Sequence, residues 1–109
     1  MIHKEPDLSV VVVATIVPRP EHRDEVIATI TKTVAAVHEE DGCELYALHQ
    51  AEDRLVMVEK WASADALRAH SRGAALAAQG PRLAGKLAGP AEVIVLQAVP
   101  AGDSAKGQL

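Results

Sequence analysis

The sequence predicts a small α+β domain of ferredoxin-like order, β-α-β-β-α-β, built on a four-stranded antiparallel sheet. Three observations carry that prediction. Apolar β-branched runs stand near both ends of the chain, and two short segments flank a polar turn in the middle. A helically spaced segment separates that central pair from each outer run. At 109 residues the chain fits one domain, expected over residues 1–100. Its share of 49% hydrophobic residues is ordinary, but Phe is absent, and one Trp and one Tyr leave Trp61 and Tyr46 with unusual weight in any core or pocket.

Leu8 to Val17 reads as the first strand, stopped by Pro18. Val10, Val12, Ala14 and Ile16 share one face, and Val11, Val13 and Val17 share the other with Thr15. A strand apolar on both sides is usually covered on both sides. Pro20 opens a helix with Glu21, Asp24 and Glu25 at its positive end. Val26, Ile30, Val34 and Val37 recur at helical spacing, and Gly42 is the expected C-terminal stop.

Glu44 to Gln50 and Leu55 to Trp61 read as a hairpin around Glu52-Asp53-Arg54. If residues 51 and 54 face each other, Tyr46 lies opposite Glu59 and Leu48 opposite Met57, with Trp61 on the same face. Ser63 is a good N-cap for the next helix, where Leu67, His70 and Ala74 fall on one side. Gly73 and Gly80-Pro81 are expected to break this region into short helices ending at Gly89-Pro90. Ala91 to Val99 is the last strand, apolar on both faces except for Glu92 and Gln97. The small polar tail 101–109 is expected to be disordered. Both helical regions should cover one sheet face, and the apolar second face calls for a partner, most economically a second copy of the chain.

Composition excludes several functions. The net charge of −4 and the absence of a basic stripe argue against nucleic acid. Cys43 is the only cysteine, which rules out an intrachain disulfide and suits a reducing, cytoplasmic setting. The run Val10–Val17 does not read as a signal-peptide core, because Glu5 and Asp7 precede it and Pro18-Arg19-Pro20 follows it. No stretch approaches the length of a membrane helix. Glycine-rich phosphate loops and a G-x-S-x-G elbow are absent. The five histidines lack metal-ligand spacing, and the neighbours His38, Glu39 and Glu40 do not share a helix face, so no metal is expected.

What remains is a cluster of Tyr46, Glu59, Trp61 and His70. If the first three face the helices, His70 can project onto the same space, over a pocket lined by Leu48, Met57 and Leu67. A desolvated carboxylate and an imidazole there have the right chemistry for proton transfer. Each also has a structural reading: Trp61 as core, Glu59 at the sheet rim, Tyr46 as packing, His70 on a helix flank.

The segments Glu40-Asp41-Gly42-Cys43-Glu44-Leu45-Tyr46, Glu59-Lys60-Trp61 and Asp65-Ala66-Leu67-Arg68-Ala69-His70 stand in an order and spacing that resembles the antibiotic biosynthesis monooxygenase family. The likeness spans about residues 8–99. It implies a dimeric α/β barrel with a pocket between sheet and helices in each subunit. It also implies oxidation of a small phenolic, quinol or polyketide-like aromatic substrate by O2, with no cofactor. Under that resemblance His70 or Glu59 assists deprotonation, Trp61 walls the pocket, and Tyr46 binds substrate. A haem-degrading branch that uses an Asn on the first strand is disfavoured, since this chain has no Asn. A non-catalytic dimeric module that binds a small hydrophobic metabolite is the alternative.

Overall fold

The structure, a computed structural model, describes residues 9–109. The strands are β1 (Val10–Ile16), β2 (Cys43–Gln50), β3 (Leu55–Trp61) and β4 (Glu92–Leu96). The α-helices are α1 (Arg23–His38), α2 (Ala64–Ser71) and α3 (Ala74–Leu83), with one 3-10 turn at Pro20–His22 leading into α1. The strands form one antiparallel sheet in the order β2-β3-β1-β4. This is the predicted ferredoxin-like arrangement, with the second helical region divided in two. The proposed start of the first strand at Leu8 lies outside the described residues. Among the described residues no helix is long and apolar enough to cross a membrane.

The side-chain period of two builds the core from β1 and β3. Val12, Ala14 and Ile16 pair with Glu59, Met57 and Leu55, and all six are buried towards the helices. Val26, Ile30 and Val37 of α1 close over them. The hairpin register is the one read from the sequence: the Ala51 N–H donates to the Arg54 carbonyl at 2.8 Å, Tyr46 faces Glu59, and Leu48 faces Met57. At its far end Trp61 pairs with Cys43 and Lys60 with Leu45, so Glu44 bulges out of the ladder.

Four expectations need correction. α1 ends at His38 rather than Gly42, because a turn through residues 39–42 intervenes before β2. Gly80-Pro81 does not break α3, which runs through it to Leu83. Pro81 sits in the last turn and forfeits one hydrogen bond to Ala77, an exposed residue whose carbonyl solvent can satisfy. The helical region therefore stops at Leu83, well short of Gly89-Pro90. Finally, β4 is shorter than Ala91–Val99, and the helices do not cover it. Val93 and Val95, on the helix side of the sheet, are 60% and 57% exposed. Ile94 and Leu96, on the other side, are 55% and 43% exposed.

Ser63 caps α2 as expected, its hydroxyl oxygen accepting from the Ala66 N–H at 3.1 Å. Gly42 docks the start of β2 against that helix. Its φ is +81°, and a Cβ placed there would stand 2.5 Å from the Ala66 Cβ. Its carbonyl accepts from the Ala62 N–H at 2.8 Å. Backbone handedness and close approach thus both require glycine. Gly42→Ala should lower unfolding stability by about 2 kcal/mol or more, summing left-handed strain and overpacking. Urea denaturation checks this, and a loss no larger than that of a surface substitution contradicts it.

Candidate active site

Alternation on β3 places Glu59 and Trp61 two residues apart on the buried face, and the two bond to each other. The Trp61 indole N–H donates to Glu59 Oε1 at 2.9 Å. Ser63 starts α2 so that its last turn brings His70 down over this pair. The His70 ring stacks on Trp61 with centroids 4.5 Å apart and planes inclined by 30°. Tyr46, opposite Glu59 on β2, meets His70 edge-on at 5.3 Å and Trp61 at 6.3 Å. Sequence-distant residues thus form one packed aromatic group around one carboxylate.

His70 is held from behind by Glu40, which sits in the turn after α1. Its Nδ1 lies 2.7 Å from Glu40 Oε1. A carboxylate can only accept there, so the Nδ1–H is the donor and the neutral ring carries its lone pair on Nε2. That Nε2 lies 4.0 Å from Glu59 Oε1, too far for a direct hydrogen bond. The arrangement Glu40–His70 therefore orients a base whose free nitrogen looks towards Glu59.

Glu59 is only 5% exposed. Burial pushes its carboxyl above the usual range, and the nearby Glu40 charge adds to that. The Trp61 hydrogen bond and His70 act in the opposite direction without cancelling the burial effect. Burial also raises the Tyr46 phenol well above its ordinary value, so this tyrosine stays protonated.

Beside these groups lies a cavity of about 180 Å3 between the sheet and the helices. Met57 and Leu67 supply apolar wall, while Glu59, His70 and Gln79 bring polar atoms. Tyr46 also borders it, as do Ala91 and Val93 at the β4 side. Trp61 is fully buried under His70 and is not part of the lining. Leu48 opens instead onto a separate hollow of about 550 Å3 with Ile27, Val34 and His38. That hollow is larger, but Glu59, His70 and Trp61 do not border it, whereas Glu59 and His70 both border the smaller cavity; a further hollow of about 540 Å3 is lined by Glu40 and His70 with Ala66, Ala69 and Gly73, but not by Glu59. Six of the seven residues singled out from the sequence thus surround or support one place, and Leu48 stands apart.

Two residues escaped the sequence reading. Glu40 stands in the first of the family-like segments and beside His38, but neither gave it a role, and its partner is 30 positions away in α2. Gln79 carried no signal beyond its place in an alanine-rich helix. Its Oε1 is buried without a hydrogen-bond partner among the described residues, an omission that typically costs about 1–3 kcal/mol. Also among the described residues, no three His, Cys, Asp or Glu side chains are placed to hold a metal ion.

Comparison with known proteins follows the same lines. The family model described as antibiotic biosynthesis monooxygenase matches residues 9–79, well over half of the chain. The chain belongs to the antibiotic biosynthesis monooxygenase family. Among solved structures it is similar to the Rv0793 protein of Mycobacterium tuberculosis, at 27% identity and a TM-score of 0.80, over 87% of this chain and 99% of that one. A Caulobacter crescentus protein, assigned to these monooxygenases by name only, is 28% identical with a TM-score of 0.79, over 85% of this chain and 92% of its own. A Nitrosomonas europaea protein at 14% identity and a TM-score of 0.81, over 92% of this chain and 100% of its own, shares the fold. No curated protein matches. The resemblance drawn from the sequence is thus the correct family, and the segments that carried it contain Glu40, Tyr46, Glu59, Trp61 and His70.

The raised Glu59 pKa has a stability consequence. The folded state holds this proton more tightly than the unfolded chain, so it binds more protons between the two pKa values. Stability from Glu59 is therefore largest below the unfolded value near 4.3 and falls as pH rises towards the folded value. Thermal unfolding of the wild type and Glu59→Gln across about pH 4 to 8 should show the wild type losing ground with rising pH. A constant difference between the two melting temperatures contradicts the assignment.

Proposed function

We propose that this family member is a cofactor-independent monooxygenase for a small phenolic or quinol substrate, using O2 and working as a homodimer. The observation that carries the proposal is the oriented pair Glu40–His70, whose free Nε2 and the Glu59 carboxylate stand beside an apolar cavity. A phenolic hydroxyl between them loses its proton to His70 Nε2, and the imidazolium is stabilised by the Glu40 carboxylate behind it. The electron-rich phenolate is then a one-electron donor to O2. Recombination of the radical pair gives a ring hydroperoxide, and loss of water leaves a quinone. One oxygen atom enters the product and the other leaves as water, and the substrate supplies all the electrons. Apolar walls favour this sequence by excluding water from the radical pair.

Oxygen uptake with a panel of hydroquinones, on protein stripped of metal, tests this. Activity should appear in the wild type and fall about 100-fold or more in His70→Gln, which keeps a donor for Glu40 but removes the base. Circular dichroism should show the variant folded. Binding without uptake for every substrate in the panel overturns the oxidation and favours a binding module.

The homodimer reading rests on β4. Val93, Ile94, Val95 and Leu96 are largely exposed on both faces of an edge strand, and Val99 beyond it is 85% exposed. Such a strand is an open template for association unless something covers it. Light scattering at micromolar concentration should give twice the 11.5 kDa chain mass. Unfolding should become concentration-dependent, because the interface behaves as part of the core. A monomer by scattering removes the dimer.

A further inference from the structure

Arg54, Lys60, Arg68 and Lys86 each stand beside a carboxylate, Asp53, Glu44, Asp65 and Glu25 in turn. Lys32 on α1 and Arg82 on α3 do not: neither side chain has an acidic partner or a hydrogen-bond acceptor among the described residues. Both line one groove, of about 180 Å3, where α1 packs on α3. Thr29, Lys32 and Thr33 reach it from α1, and Ala75, Ala78 and Arg82 from α3, each set sharing one helix face by its spacing. Among the described residues no Asp or Glu lines the groove. The Thr33 hydroxyl donates to the Thr29 carbonyl at 3.2 Å, while the Thr29 hydroxyl makes no hydrogen bond among the described residues and is left as a donor.

Two like charges directed at one groove repel each other, and an anion between them replaces that repulsion with two attractions. A second observation says what such an anion would do. None of the residues of α3 is fully buried, its N-cap Gly73 offers no side-chain bond, and Pro81, next to Arg82, removes a backbone hydrogen bond from the last turn. This lightly anchored helix nonetheless carries Leu76 and Gln79 on the cavity wall. We propose that the groove binds a compact dianionic oxyanion of the phosphate or sulfate kind through Lys32 and Arg82, and that its occupancy clamps α3 onto α1. The Lys32 ammonium acts as a point charge and the Arg82 guanidinium as a planar fork, a combination that suits an oxyanion with several acceptor oxygens. The inference stands on this groove alone and does not depend on the oxidation proposed above.

The test is a titration of the full chain with inorganic phosphate, and separately with sulfate, at ionic strength held constant with sodium chloride. Backbone amides are followed by NMR. Saturable shifts in the millimolar range should concentrate on residues 29–36 and 75–82. Lys32→Gln and Arg82→Gln should each weaken binding about tenfold or more, the loss of one charge-assisted contact. Both side chains are exposed, so the variants should fold as the wild type does. Arg19→Gln removes an exposed cation outside the groove and should leave the affinity unchanged. At ten times the dissociation constant, hydrogen exchange of the α3 amides should slow about tenfold in the wild type and not in Arg82→Gln. Shifts that never saturate, or that scatter over the surface, mean a general salt effect only and overturn the site. Equal weakening by Arg19→Gln reduces the effect to net charge and overturns it too. Saturable binding that leaves α3 exchange unchanged refutes the clamp.

Discussion

A carboxylate removed from water must be given partners, and Glu59 is the residue around which this domain arranges them. Alternation on β3 forces it into the buried face, where an unpaired charge would be strongly unfavourable. The Trp61 indole supplies one hydrogen bond from two positions along the same strand. His70 lies over that indole, and Glu40 fixes His70. Each of these groups is itself buried or half-buried, so each is satisfied only if the others are in place. The turn at Gly42 and the capped start of α2 exist in this geometry because they bring Glu40 and His70 within 2.7 Å of each other.

Such a network has two consequences at once. It holds His70 in place, since the ring is confined by stacking on one side and by a hydrogen-bonded carboxylate on its edge. It also leaves Glu59 only partly compensated, because one indole donor and a distant imidazole do not replace full hydration. A carboxylate in that condition accepts a proton more readily than a surface one. The same burial that weakens the fold at higher pH therefore raises the basicity of the site.

The parts of this structure legible in the sequence are those governed by local period and local turn chemistry. The hairpin register followed from a polar turn and a period of two, and it placed Tyr46, Met57, Glu59 and Trp61 on one face without further information. The Ser63 cap set the phase of α2 and therefore the direction of His70. Glu40 stood in a recognisable segment, but its contact with His70 was illegible, because that depends on how a turn approaches a helix, which no periodicity encodes. Gly80-Pro81 misled because helix-breaking rules weigh the residue type and not its distance from the helix end. Leu48 misled for a related reason: sharing a strand face with Met57 does not decide which side of the helix layer a residue opens onto. For β4, the pattern correctly showed two apolar faces, but only the packing shows that α1, α2 and α3 sit over the other strands and leave both faces bare.

That last point joins assembly to the site. Val93 lines the cavity and is at the same time 60% exposed, so the β4 side is where the cavity wall is thinnest. Among the described residues the alanine-rich α3 brings only Leu76 and Gln79 to the cavity lining, and β4 with the residue before it brings only Ala91 and Val93. A second copy laid over β4, as proposed, would remove exposed valine, isoleucine and leucine from water and would cover Val93 and Ala91 in the same step. Association and exclusion of water from the ring are then one event driven by one apolar surface. Weakening that surface should therefore cost the site its dryness as well as the domain its stability.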